Sequence, residues 1–539
     1  MENKELGFAT RAIHVGQEPD PSTGAVSTPA LNSAERVLLV SLCVFAVATG
    51  VIGIHRPIFI DEAHSIITSS LSLRGIIGQL RNDNNLPLYY LLLHAWIKFF
   101  GISEIATRTL SIIFYFLGIF VAGRLGQALS HDRRVALYAA FFYGISLQAI
   151  HLAQKVRAYS LLGLLAGGST LLFFRSFWHP EARRRDWLLY VLVNVAGSFT
   201  HVWFAFLLCA QFVAHLALFP RSTLRRFLAT LCFSGLPFLL LWGRFFGEQM
   251  RNGATDWIPR PDLWSLPGAF LEFYGGTRIG GLFLLSCLML LLVKDRGYPP
   301  TAAAEAKRQQ LALLVIAVVS VALPVLVSVF KPIYWPGRYT VIALPSLAAL
   351  LAWRLALTVR RPLLVAFCYL VVAAVLGLHV MARRQLIDNS EAILDYSQSD
   401  QHAAEELMQR IHPGDSVIFT GLSRASVEYY LRLRHRAQEV ALFSYPAENA
   451  EHLGWDATRT RGASLGAEAA TLTSQLAATS AGKPVHIWVV AGMHRSANDV
   501  LFGQMEKHFS FLRVLPFRGA FFAGIVEFQN APQNSALSR

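Results

Sequence analysis

The sequence predicts an α-helical polytopic membrane protein with about eleven transmembrane helices, external juxtamembrane helices and a small C-terminal α/β domain. Three observations predict it. Of 539 residues, 54% are hydrophobic and only 15% are charged, a surface too poor in charge for an ordinary soluble enzyme. Apolar runs near the roughly 20-residue length of a spanning helix, some at the practical minimum of about 17, recur along the first 384 residues. The lysines and arginines behind the net charge of +14 gather in short clusters between those runs, as they do in loops facing the cytoplasmic leaflet. That pattern argues against nucleic acid as the partner.

The chain divides into a cytoplasmic tail (1–33), a transmembrane domain (34–384) and an extracytoplasmic α/β domain (385–539). The tail opens MENKELGFATRAIHVGQEPDPSTGAVSTP, which is polar and lacks the apolar core of a signal peptide. It resembles the N-terminal arm of the cystathionine γ-synthase and methionine γ-lyase family of pyridoxal-phosphate enzymes. The likeness stops near Pro29 and no cofactor lysine follows, so no pyridoxal phosphate is expected. The segment reads as a fusion scar, a mis-joined frame or a disordered tail.

The expected spans are about 36–55, 108–124, 135–153, 159–177, 187–203, 204–219, 227–243, 277–293, 310–329, 338–354 and 362–381. Residues 86–100 are apolar but too short to cross, and read as an amphipathic helix on the outer interface. With that segment not crossing, the clusters around Arg133, Arg184, Arg225, Lys307 and Arg360 all face one side, the cytoplasm. The N-terminus is then inside, as in a multi-pass protein of the bacterial inner membrane. The first loop (56–107), the turn near 151–158, the end near His201, the loops 244–276 and 331–337, and everything after 382 are periplasmic. All five cysteines fall inside apolar runs and read as small core residues. Beyond 385 the chain turns polar, and DSVIFTG, EVALFSY, VHIWVVAG and AFFAGIVEF read as strands alternating with helical stretches such as HAAEELMQRI and DVLFGQMEKHF. No glycine-rich fingerprint accompanies them, so no nucleotide is assigned.

The stretch RPIFIDEAHSI places Asp61 and Glu62 side by side just outside the first span. Together with NNLPLYYLLLHAWIKFFG, ATRTLSIIF, KVRAYSLLGLLA, FTHVWFAFLL and YWPGRYTVIALPSLAAL, it resembles the protein O-mannosyltransferase and aminoarabinose-transferase superfamily. The likeness runs over roughly residues 34–530. It implies a GT-C fold and sugar transfer from a polyprenyl-phosphate donor. One departure is Asn85-Leu86 where the family carries His-Pro before Pro87.

Chemistry assigns the residues separate tasks. A sugar leaving a lipid phosphate needs cations on the developing charge, not a general acid, and Lys155, Arg157, Lys331 and Arg338 lie at outer helix ends. Arg338 ranks first, because its planar fork can grip two phosphate oxygens. An acceptor hydroxyl must lose a proton as it attacks, and Asp61 is the expected base, as the resemblance also implies. Glu62 would position the acceptor or a metal. His64 could join Asp61 and Glu62 around a divalent ion, which stays open because three residues in one helical turn seldom complete a shell. Tyr159, Tyr339 and His201 are candidates for substrate contact. Plainer readings stand beside these: a helix cap and first-turn acid for Asp61 and Glu62, snorkelling anchors for Lys155 and Lys331, and a hydrogen-bonded interfacial His201. No nucleophile is visible on the opposite face of the sugar, so inversion is expected. A transporter of a lipid-linked or anionic substrate is the rival function and would need polar residues at the bilayer midplane, whereas a scaffold would leave Asp61 dispensable.

Overall fold

The computed structural model describes residues 33–52, 54–81, 83, 85–178, 182–251, 255, 258–274, 281, 285, 289, 300–358, 400–450, 464–479, 485–516 and 522–530. The tail before residue 33, with its lyase resemblance, and the expected spans 277–293 and 362–381 lie outside the described residues.

Helix α1 (Ser33–Val51) leads to an extended segment that turns into α2 (Ile60–Ser69). α2 starts there because the Glu62 carboxylate reaches back to accept the Phe59 N–H at 3.2 Å, satisfying a donor that the first helical turn leaves open. α3 (Leu73–Arg81) follows. Pro87 then opens α4 (Pro87–Phe100), where its missing N–H costs nothing and its fixed φ suits the first turn. Fourteen residues make α4 about 21 Å long, too short to cross a hydrocarbon core of roughly 30 Å.

α5 (Glu104–Ser130) and α6 (Arg133–Gly144) are joined by the HDRR turn, in which the Asp132 carboxylate caps α6 by accepting the Arg134 N–H at 2.8 Å. Glycines set how closely these two helices approach. A Cβ at Gly123 or Gly126 would lie 3.1 or 3.0 Å from the carbonyls of Ala136 and Val135. α7 (Leu147–Ala153) continues α6 after a bend of 62°, and Ser146 at the break donates its hydroxyl to the Phe273 carbonyl at 2.8 Å.

α8 (Tyr159–Phe177), α9 (Arg184–Ser198), α10 (Phe204–Leu218) and α11 (Leu224–Leu241) follow. Buried polar side chains tie three of them together: Asn194 accepts from the Ser169 hydroxyl at 2.7 Å, Gln211 donates to that hydroxyl at 3.0 Å, and Tyr190 donates to Gln211 at 2.6 Å. Two short helices, α12 (Gly243–Arg251) and α13 (Ser265–Leu271), precede α14 (Pro300–Phe330) and α15 (Leu344–Thr358).

Among the described residues, five helices are long and apolar enough to cross a membrane, or six if α6 and α7 form one broken span. Six of the eleven expected spans are not among these five helices. Spans 187–203 and 204–219 form helices of only 15 residues each, 135–153 is split by its bend, 36–55 forms the 19-residue α1, and two more fall outside the described residues. Cys43, Cys209 and Cys232 are unpaired and exposed, which corrects the core reading. They share the outward surface with Val40, Val44, Leu239 and Leu240, an apolar face suited to lipid.

The C-terminal region adds α16 (Asp400–Met408), α17 (Arg424–Leu433), α18 (Leu465–Thr479) and α19 (Arg495–Met505). Its small sheet comprises β1 (Ser416–Thr420), β2 (Ala441–Tyr445), β3 (His486–Gly492), β4 (Phe509–Leu515) and β5 (Phe522–Asn530) in the order β2-β1-β3-β5-β4. β1 runs parallel to β2 and β3, and β5 is antiparallel to β3 and β4. Four of these strands coincide with the expected runs. β4 does not: the expected helix over DVLFGQMEKHF stops at Met505, and Phe509 already pairs with Asn530. This region shares a core with the first loop. Leu407, Tyr429, Tyr430 and Trp488 belong to the same buried cluster as Ile58, Ile66, Leu80 and Tyr90.

Candidate active site

The two adjacent acids have opposite fates. Glu62 is 1% exposed and forms a two-pronged ion pair with Arg108 of α5, Nε to Oε1 at 2.9 Å and Nη2 to Oε2 at 2.8 Å. Arg108 also donates to the carbonyls of Ile54, Arg56 and Pro57 at 2.7–3.1 Å. Glu62 accepts two backbone N–H groups besides, Phe59 at 3.2 Å and Val156 at 3.1 Å. Burial alone would raise the Glu62 pKa, but the Arg108 charge and its hydrogen bonds overcome this and hold it at about 2. With its oxygens so occupied, Glu62 is a clamp joining the Asp61 turn to the turn that carries Lys155 and Arg157. That corrects the expectation that it handles acceptor or metal.

Asp61, one residue earlier on the helix, keeps its side chain 31% exposed and lies 3.3 Å from Arg338 Nη1. Arg157 enters from the same side. Its Nη2 donates to Asn85 Oδ1 at 3.1 Å, its Nη1 approaches the Tyr90 hydroxyl at 3.5 Å, and its guanidinium sits 5.8 Å from the Tyr159 ring centre. Burial would lower the Arg157 pKa, yet Tyr159, Tyr90 and Asp61 together hold it well above its ordinary value, so it stays a cation. Lys155 is buried in the same turn, two residues before Arg157. That turn is fixed from behind by Arg56, which donates to the Gln154 carbonyl at 2.8 Å.

Aromatic rings line the site. Tyr339 lies over His201 at 5.0 Å and Trp203 at 4.8 Å with its ring tilted by about a third of a right angle, and meets Tyr159 edge-on at 5.8 Å. His201 accepts the Trp203 N–H through Nδ1 at 3.2 Å, and burial followed by the Arg157 charge lowers its pKa to about 3. It is therefore neutral, a stacking partner and not a cation. His64 is buried, with Nε2 3.2 Å from Asp83 Oδ2, and Asp83 also accepts from Asn85 Nδ2 at 2.9 Å. His64 and Glu62 are thus turned to partners other than Asp61. Among the described residues no group of three or more His, Cys, Asp or Glu side chains converges as metal ligands would. Lys331 is also drawn elsewhere: its ammonium donates to the Met250 carbonyl at the end of α12, making it a loop brace.

Four residues of this arrangement were not among the expected site residues: Arg108 as the partner of Glu62, Asp83 and Asn85 behind Arg157, the latter noted only as a departure from the family's His-Pro, and Glu272. The Glu272 carboxylate accepts the Gly337 N–H at 2.5 Å, and burial pushes its pKa up to about 7 against the opposing effect of that bond. A signal existed for Arg108, since an arginine leading an apolar span needs an acidic or carbonyl partner.

No protein-family model matches the chain, and no curated protein matches it. Solved structures do. ArnT from Cupriavidus metallidurans bound to undecaprenyl phosphate superposes with a TM-score of 0.57 at 14% identity, covering 93% of this chain and 99% of that one. The apo form of the same protein gives 0.56, also at 14% identity, covering 93% and 100%. An oligosaccharyltransferase from Archaeoglobus fulgidus tethered to an acceptor peptide reaches 0.46 at 12% identity, covering 93% and 75%. Across nearly its whole length the chain has the GT-C fold of ArnT, the fold that its loop motifs implied.

Proposed function

We propose that this protein is an integral membrane glycosyltransferase that moves a sugar from a polyprenyl-phosphate donor to a hydroxyl-bearing acceptor at the periplasmic face of a bacterial inner membrane, with inversion. The observation that carries the reading is the meeting of a half-exposed carboxylate with fixed cations. Asp61 faces Arg338 at 3.3 Å and feels the charge of Arg157, on a scaffold clamped by Glu62. The ArnT structure holds undecaprenyl phosphate, which supports a lipid phosphate as the donor's leaving group.

The donor phosphate competes with Asp61 for Arg338, and Arg157 and Lys155 add further positive charge. Arg338 on the phosphate leaves Asp61 to face the acceptor. The acceptor oxygen attacks the anomeric carbon from the side opposite the phosphate. The bond from carbon to phosphate oxygen breaks, its electron pair stays on the polyprenyl phosphate, and the acceptor proton passes to Asp61. The rings of Tyr159, His201 and Tyr339 give the sugar a stacking wall.

The test is transfer of radiolabelled sugar from defined polyprenyl-phosphate donors to an acceptor panel in membranes, with wild type and Asp61→Asn. Asp61→Asn is expected to lower kcat by about 10²-fold or more, the usual worth of a positioned base, and to lower donor KM, because the phosphate no longer competes with a carboxylate for Arg338. Parallel assays with EDTA and with added Mg²⁺ decide whether a divalent ion takes part. Folded wild type that transfers nothing across the panel refutes the proposal in favour of transport. Transfer that survives Asp61→Asn removes only Asp61 as the base.

A further inference from the structure

The loop that delivers Arg338 is held at three points. Its start is pinned where Ser328 Oγ at the end of α14 accepts the N–H groups of Ile333 and Tyr334 at 3.2 and 2.8 Å. Its end is pinned by the stacking of Tyr339 on Trp203 and His201 and by the helical turn beginning at Thr340. Between them lies Pro336-Gly337, where Gly337 takes φ +75° and no atom lies within 4 Å of where its Cβ would be. A residue in that conformation with open space around it has little of its own to fix it. Its N–H is fixed by one carboxylate, Glu272, at 2.5 Å.

Glu272 is itself rigidly mounted. The neighbouring Phe273 carbonyl accepts the buried Ser146 hydroxyl at 2.8 Å, and the Tyr274 hydroxyl donates to the Phe142 carbonyl at 3.2 Å. Both bonds reach the bend between α6 and α7. The Gly337 N–H belongs to the residue just before Arg338, so its direction sets where the guanidinium starts from. Among the described residues Glu272 makes no ion pair, and its carboxylate is directed to a backbone amide, not to the lipid phosphate that the site is built to hold.

We infer that Glu272 is a positioning residue for Arg338: by accepting the Gly337 N–H it fixes the turn that aims the guanidinium into the site, so that affinity for a lipid phosphate depends on a carboxylate that never touches the ligand. The inference rests on the transferase reading above, since it needs Arg338 to hold a phosphate. Loss of the acceptor leaves Arg338 present but mobile, and part of the binding free energy is then spent on ordering it.

The test is titration of the purified full-length protein in detergent with undecaprenyl phosphate, alongside a thermal melt for each variant. Glu272→Gln keeps an acceptor oxygen in place and is expected to bind within about twofold of wild type. Glu272→Leu removes the acceptor and is expected to weaken binding about tenfold. Arg338→Ala weakens it at least as much, and Glu272→Leu/Arg338→Ala is no weaker than Arg338→Ala alone, because one residue acts through the other. Should Glu272→Leu lose its cooperative melt, Glu272→Asp, whose carboxylate is withdrawn by one methylene, takes its place with the same expected loss. Wild-type affinity in the acceptor-less variant, or losses that simply multiply in the double variant, overturn this inference alone. Folded wild type that does not bind undecaprenyl phosphate overturns the transferase reading and this inference with it.

Discussion

Side by side in sequence, Asp61 and Glu62 look interchangeable, but only one is open to solvent. Glu62 is committed to Arg108, a partner 46 positions away, and no local pattern announces that pairing. The difference predicts distinct mutant behaviour. Arg108→Ala strands a buried carboxylate and is expected to cost about 3–5 kcal/mol, read as a large drop in melting temperature in detergent. Glu62→Met/Arg108→Met, which removes both charges, is expected to recover much of it. An Arg108→Ala protein that melts like wild type removes the clamp from the account. The pH dependence has a definite sign. The folded-state pKa of Glu62 lies at about 2, below its ordinary 4.5, so its contribution is fully present above pH 4.5 and is lost as pH falls towards 2. Acid melts of wild type against the double-Met variant isolate that component. Asp61, by contrast, was legible in the sequence as a candidate, because an acid just outside an apolar span is rare enough to notice.

At the scale of elements, the first loop depends on a helix that follows it by more than three hundred residues. The Ile58 N–H, three residues before Asp61, donates to the Tyr430 hydroxyl of α17 at 2.8 Å, and the Tyr429 hydroxyl donates to the Ile102 carbonyl at 2.9 Å. Tyr430→Phe leaves a buried N–H without its acceptor and is expected to cost about 1–3 kcal/mol of stability. If α17 braces the loop, kcat for transfer falls as well. An unchanged melt and unchanged kcat would show that the sheet region only covers the loop. Helix positions read well from the sequence, since helix covers most of each described span expectation, because length and apolarity are local properties. The bend at Ser146 did not, because the carbonyl that receives its hydroxyl belongs to Phe273. β4 was missed for a related reason. It is an edge strand whose residues from Ser510 to Val514 are all exposed, so no alternation of apolar and polar residues marks it.

For the whole molecule, the side of the membrane on which α4 ends governs every later loop. Had residues 86–100 crossed, the turn carrying Arg157 and the loop carrying Arg338 would lie a bilayer's thickness from Asp61, roughly 30 Å away. Instead Arg338 is 3.3 Å from Asp61, and Arg157 donates to Asn85 at the start of α4. The basic clusters of the sequence lead to the expectation of this juxtaposition by a signal independent of packing. Packing extends it to the C-terminal region, because the core shared by α2–α4 and α17 requires the sheet to sit on the Asp61 side. Single cysteines in a background stripped of the native five test both statements at once. Ser510→Cys on exposed β4 is expected to react with a membrane-impermeant maleimide in intact cells. Ser222→Cys, exposed in the Arg221–Arg226 cluster between α10 and α11, is expected to react only after the membrane is opened. The reverse pattern would place the acid and its cations on the cytosolic side, where a periplasmic acceptor could not meet them, and labelling of both positions in intact cells would put the Arg221–Arg226 cluster on the same side as the sheet, against the expected order of crossings.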